Sequence, residues 1–118
     1  MKILYIVLIT IIALEHLYFL ILEMFLWTSK KGIKTFGLES KEFAEKTKVL
    51  AANQGLYNGF LSAGLIYSLV TADKNVSIFF LICIIIAGIY GAYSTKKNKL
   101  FYVQSIPAII ALLFIILM

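Results

Sequence analysis

Four apolar runs, at about residues 3–27, 49–70, 76–93 and 100–118, occupy most of the chain. Each comes close to the roughly 20 residues that a helix needs to cross about 30 Å of hydrocarbon. Lipid offers no partner to a free backbone group, so only helices and closed barrels can span it. A barrel strand would alternate strictly over about 10 residues, and Leu8-Ile9-Thr10-Ile11-Ile12 does not alternate. Composition points the same way: 62% of residues are hydrophobic, 14% are charged, and mean hydropathy is +0.97. Soluble domains run near 45–50% apolar and about 25% charged. This excludes an ordinary cytosolic enzyme, a disordered tail and a disulfide-stapled secreted domain.

The expected fold is therefore all-α: a membrane-embedded four-helix transmembrane bundle forming one domain over residues 1–118. The helices are expected at about 3–27, 40–70, 76–94 and 100–118, with cytoplasmic connections at about 28–46 and 95–99. The first run is too long for a signal peptide, and Leu26-Trp27-Thr28-Ser29-Lys30 offers no small-x-small cleavage site, so it reads as a mature helix.

The basic residues are all lysine, 11 of them. Without arginine, bidentate recognition of phosphate or bases has no carrier, so the charge reads as topology and no nucleic acid is expected. Lys30, Lys31, Lys34, Lys41, Lys46 and Lys48 fall in the first connection, and Lys96, Lys97 and Lys99 in the third. Only Lys2 and Lys74 lie on the other side. The positive-inside rule then puts both lysine-rich connections in the cytoplasm and both termini outside. Ser40 suits an N-cap. Lys41 with Glu45, and Glu42 with Lys46, are opposite charges four apart. The second helix thus starts before the membrane. Cys83 sits in an apolar run and has no second cysteine to pair with.

Helix 1 carries Glu15, His16 and Glu23. A charge near the bilayer centre costs at least about 2.5–3.5 kcal/mol, and such residues mark functional sites. His16 and Glu23 are seven residues apart, about 20° short of two full turns, and share a face. Helix 2 carries Asn53, Gln54, Tyr57 and Asn58 beside a ladder of Ala51, Gly55, Gly59 and Ala63. Small residues four apart let another helix approach closely. The Gly55/Gly59 face is therefore also where a second copy of the chain could dock. Depth counted from membrane ends near Thr28 and Thr47 sets Glu23 beside Asn53 or Gln54, and His16 beside Asn58 or Tyr57. Tyr90, Ser94, Gln104, Ser105 and Pro107 lie in the same half. The outer half is nearly pure Ile, Leu, Val and Phe. Pro107 leaves the carbonyl of Val103 without a helical partner. The sum is a polar pocket that opens to the cytoplasm and is closed outside. One histidine with two acids falls short of the usual zinc set and supplies at most one haem ligand, so no metal is assigned and no cofactor is named.

The motifs Ala13-Leu14-Glu15-His16, Glu23-Met24-Phe25-Leu26-Trp27, Lys34-Thr35-Phe36-Gly37 and Lys48 through Phe60 resemble the small bacterial membrane proteins of domain-of-unknown-function family 1304. The resemblance covers the whole chain. It implies four transmembrane helices in a bacterial inner membrane and supplies no activity. The plan is also similar to that of small multidrug transporters, although the motifs differ. Three functions stand open. The pocket binds or transports a small amphiphilic molecule or protons. Alternatively, His16 with Glu15 or Glu23 moves a proton on a lipid-soluble substrate. Or the chain is a subunit with no chemistry of its own. Besides such a ligand and a second copy, membrane lipids are the expected partners.

The lysine bias gives a direct test. A C-terminal alkaline phosphatase fusion is expected to be active, and a reporter that works only in the cytoplasm is expected to be silent there. The reverse pattern overturns the orientation.

Overall fold

The computed structural model describes residues 2–118, and the chain is all-α. Its elements in order are α1 (Lys2–Phe25), α2 (Lys30–Phe36), α3 (Lys41–Val70), α4 (Lys74–Thr95), a π-helical segment (Phe101–Ser105) and α5 (Ile106–Leu117). By length and composition, α1 and α4 are the two helices able to cross a membrane among the described residues.

The first connection holds a helix of its own, α2, where none was expected. Ser29 caps it, its Oγ accepting from the Gly32 N–H at 3.1 Å. Gly37 ends it in the left-handed region, φ 60°, where a residue without Cβ is unstrained. The start of α3 is as expected: Ser40 Oγ accepts from the Phe43 N–H at 3.0 Å. Of the two expected charge pairs, Lys46–Glu42 forms at 3.3 Å, whereas Glu45 pairs with Lys48 at 3.2 Å instead of Lys41. Both pairs are exposed and contribute little.

The residues pack as two compact units, one of residues 2–13 and 63–118, the other of residues 14–62. In the first unit the expected purely apolar half contains a buried chain of hydroxyls. Tyr5 Oη lies 2.7 Å from Ser77 Oγ, Ser77 Oγ donates to Ser68 Oγ at 2.7 Å, and Ser68 Oγ donates to the Leu65 carbonyl at 2.6 Å. Left unpaired, each buried hydroxyl would cost about 1–3 kcal/mol. Linked in series they are satisfied and tie α1, α3 and α4 together. Between α3 and α4, Thr71–Asp73 form a tight cap in which the Asp73 N–H reaches back to the Ser68 carbonyl at 3.0 Å. Ala72 holds φ 54° there, a position usually left to glycine.

The last helix widens before its proline. Pro107 has no N–H to give the Val103 carbonyl, and its ring crowds that turn. The chain answers with a π turn, in which the Ile106 N–H bonds the Phe101 carbonyl. The same turn brings Ser105 against α4, where its Oγ donates to the Ile85 carbonyl at 3.0 Å. Gly88 makes room for it: a Cβ there would run into Ser105 Oγ and the Ser105 backbone nitrogen.

Gly88→Ala is therefore expected to destabilise the fold by about 1–3 kcal/mol, the usual cost of overpacking. Gly91→Ala is the matched control, because a Cβ there meets only Leu100 Cδ1 at 3.5 Å. Thermal unfolding in detergent should separate the two. Equal midpoints would show that the Gly88–Ser105 contact is not tight.

Candidate functional site

Glu15, His16 and Glu23 of α1 and the amides of α3 all lie in the unit of residues 14–62. There α1 and α3 approach closely at the small residues of α3. A Cβ on Gly55 would strike Met24 Cγ and Glu23 Cβ, and one on Gly59 would strike Leu20 Cδ1. The Gly55/Gly59 face is thus filled by α1 of the same chain. A second copy of the chain was the occupant expected there.

This contact sets which polar groups meet. Asn58 follows Gly55 by three residues and lies on the same side of the helix. Its Nδ2 donates to Glu23 Oε1 at 2.5 Å. Gln54, one turn earlier, presents its side-chain amide to the same carboxyl. Counting depth from Thr28 and Thr47 pairs Glu23 with Asn53 or Gln54. Gln54 is present, but the main partner lies one turn deeper, because the glycines fix the register. Glu23 is 1% exposed, and its Oε2 is buried without a hydrogen bond.

His16 lies two turns before Glu23 and is fully buried, 0% exposed. Its ring meets Phe19 edge-on, with centroids 5.4 Å apart. Its Nδ1 lies 3.9 Å from Glu15 Oε1, and that oxygen is buried without a hydrogen bond. Of the two expected partners of His16, Asn58 is committed to Glu23. Asn53 and Tyr57 stand on the exposed side of α3, and Tyr57 is 61% exposed. Of the seven expected site residues, then, Glu23, Gln54 and Asn58 meet, Glu15 and His16 meet, and Asn53 and Tyr57 face outward. His16 and Glu23 are sealed in packing where an open pocket was expected. The groove found elsewhere, about 420 Å³ and lined by Lys2, Tyr5, Ala72, Lys74 and Met118, touches none of the seven. Among the described residues, no group of three His, Cys, Asp or Glu side chains is placed to hold a metal ion.

At the lysine-rich end of the unit, Trp27 Nε1 donates to Thr47 Oγ1 at 3.0 Å, and its ring packs on Phe36 with centroids 5.0 Å apart. Thr47 was not singled out in the sequence. Nothing in its neighbourhood there distinguishes it from a solvated threonine.

The family model of proteins of unknown function designated DUF1304 matches residues 10–116. The chain belongs to this family. It is similar to Uncharacterized protein YpaA of Lactococcus lactis subsp. lactis (strain IL1403), with 38% identity over 117 residues, covering 96% of this chain and 97% of the relative. No solved structure matches. The family match covers both halves of the Glu23–Asn58 contact.

Asn58→Ala is expected to cost about 1–3 kcal/mol, because it leaves a buried acid without its donor. Asn53→Ala, on the exposed side, should change the stability of the monomer by less than about 0.5 kcal/mol. Denaturant unfolding of both variants at low protein concentration would decide; equal losses would mean that the Glu23–Asn58 bond carries no net stability.

Proposed function

We propose that this DUF1304 chain is a multi-pass protein of the bacterial inner membrane. Its spanning helices are α1, α3, α4 and the π segment with α5, arranged as a four-helix bundle with both termini outside. Two helices meet the length and composition for spanning, and Phe101–Leu117 is a shorter apolar helix. The apolar part of α3 begins at Val49, directly after its last lysine, Lys48.

In this setting the cluster of Glu15, His16, Glu23, Gln54 and Asn58 carries protons, or binds the polar head of a small amphiphilic molecule, from the cytoplasmic side. The observation that carries this reading is Glu23: 1% exposed, Oε1 held by Asn58, Gln54 beside the carboxyl, and Oε2 making no hydrogen bond. A purely structural pair would be closed on itself. A buried acid with a spare oxygen is costly unless a proton or a ligand donor completes it. His16, two turns away on the same face, is a second group able to take and give a proton near neutral pH. The subunit reading explains the packing of α1 on α3 but not the spare oxygen.

The test is proton movement in vesicles holding the purified protein and a trapped pH dye. The wild-type protein is expected to dissipate an imposed pH step faster than empty vesicles, with a dependence on pH between about 5 and 8. Glu23→Gln keeps an acceptor for Asn58, so the fold should survive while the pH dependence weakens. His16→Ala should abolish the flux. Wild-type behaviour in both variants would overturn the reading, and so would a flux equal to that of empty vesicles with no protonated-carboxyl band in the infrared.

A further inference from the structure

The far side of α3 bears a seam that the chain itself does not cover. Leu50, Asn53, Tyr57 and Phe60 follow one another at spacings of three, four and three residues. That is the a/d repeat with which two helices pack along a shared line. All four are exposed: Leu50 by 71%, Tyr57 by 61%, Phe60 by 56%, with Asn53 between them. At about 100° per residue the seam lies on the opposite side of α3 from Gly55 and Gly59. It is therefore not an edge of the contact with α1.

Exposed apolar side chains are ordinary on a helix in lipid. An exposed amide is not. The outward residues of α1 near mid-helix are Thr10, Ile11, Leu14, Leu17, Tyr18 and Ile21, and those of α4 are Phe79, Ile82, Ile86, Ala87 and Ile89. None is an amide. Acyl chains offer Asn53 neither donor nor acceptor, and no hydrogen bond within the unit engages its side chain.

We propose that this seam is a homodimer interface in which α3 packs in parallel on α3 of a second copy, with Asn53 hydrogen-bonded to Asn53 across the two-fold axis. The proposal rests on the membrane reading above. A second copy fits better than a lipid because an asparagine amide carries both donors and an acceptor, so two copies of one residue satisfy each other. The lysine bias inserts every copy the same way. The two-fold axis then runs along the membrane normal, the helices are parallel, and each seam residue meets itself. Tyr57 and Phe60, whose rings lie 6.2 Å apart, supply the apolar contact on one side of the amide pair, and Leu50 on the other.

The test is cross-linking in native membranes, in a Cys83→Ala background, with a copper–phenanthroline oxidant. Leu50→Cys and Tyr57→Cys are expected to form disulfide dimers at least tenfold faster than Ile86→Cys, which is equally exposed on α4. Asn53→Ala should lower the dimer association constant in mild detergent by at least about threefold, the effect of one interhelical polar contact in a membrane. Asn53→Gln, which keeps an amide, should retain more of the dimer. Seam cysteines that cross-link no faster than Ile86→Cys, or an Asn53→Ala variant as dimeric as wild type, would overturn the proposal. Carbonate extraction of the same membranes reports separately on the membrane reading: protein released by carbonate refutes that reading, and protein retained without seam cross-links refutes only the dimer.

Discussion

The close approach of α1 to α3 at Gly55 and Gly59 is the constraint on which the polar architecture of residues 14–62 depends. With no Cβ at either position, Leu20, Glu23 and Met24 sit directly on the α3 backbone. This fixes the register between the helices, and the register brings Asn58 to Glu23. A larger residue at Gly55 would push the helices apart and separate acid and amide together. The hydrogen bond is thus a consequence of packing as much as a contributor to it. Small residues that permit contact and amides that exploit it are the two means by which helices associate where the surroundings are as apolar as their own side chains.

The same economy appears in the other unit. Gly88 admits Ser105, and Ser105 bonds a backbone carbonyl of α4. Gly64 admits the ring of Phe80. The π turn ahead of Pro107 moves Ser105 into position, so a proline that costs one helical bond also shapes a helix contact. Tyr5, Ser77 and Ser68 complete one another in series. In each case a polar atom is buried only where a specific partner meets it. That makes the spare oxygens of Glu15 and Glu23 the departures from the rule. Departures of this kind are expected where function sets a cost against stability.

Much of the fold was legible because its signals are local and strong. Apolar runs give helices; Ser40 gives the start of α3. The insertion cost of an acid singled out Glu15, His16 and Glu23, and the structure buries His16 and Glu23 almost completely. What was not legible depends on long-range geometry. A seven-residue helix such as α2 is too short to show a period. Depth counted from membrane ends near Thr28 and Thr47 carries an error of about one helical turn, because snorkelling side chains blur where a span begins. That error is the difference between Asn53 and Asn58. Tyr5 could have been found. It lies eleven residues before His16, within about 20° of the same face. The signal was present but weaker, since a tyrosine near a helix end also suits an interfacial anchor.

Two stripes of identical spacing show why the site needed a structure. On α1, Tyr5, Ile9, Ile12, His16, Phe19 and Glu23 follow the a/d pattern and are all buried. On α3, Leu50, Asn53, Tyr57 and Phe60 follow the same pattern and are all exposed. Periodicity marks both as contact lines but cannot say with what. The glycines decide it. They occupy the opposite side of α3, and the closest packing goes where there is no side chain in the way. Glu23, at the end of the inner stripe of α1, therefore meets the glycine side together with Leu20 and Met24, and the amide-bearing stripe of α3 is turned outward. Asn58, adjacent to Gly59, is drawn inside. Asn53, near the far side of the wheel, is left without a partner in its own unit. The two asparagines differ by five residues and by no chemistry, and only their angle to Gly55 separates a buried ligand of Glu23 from an exposed group.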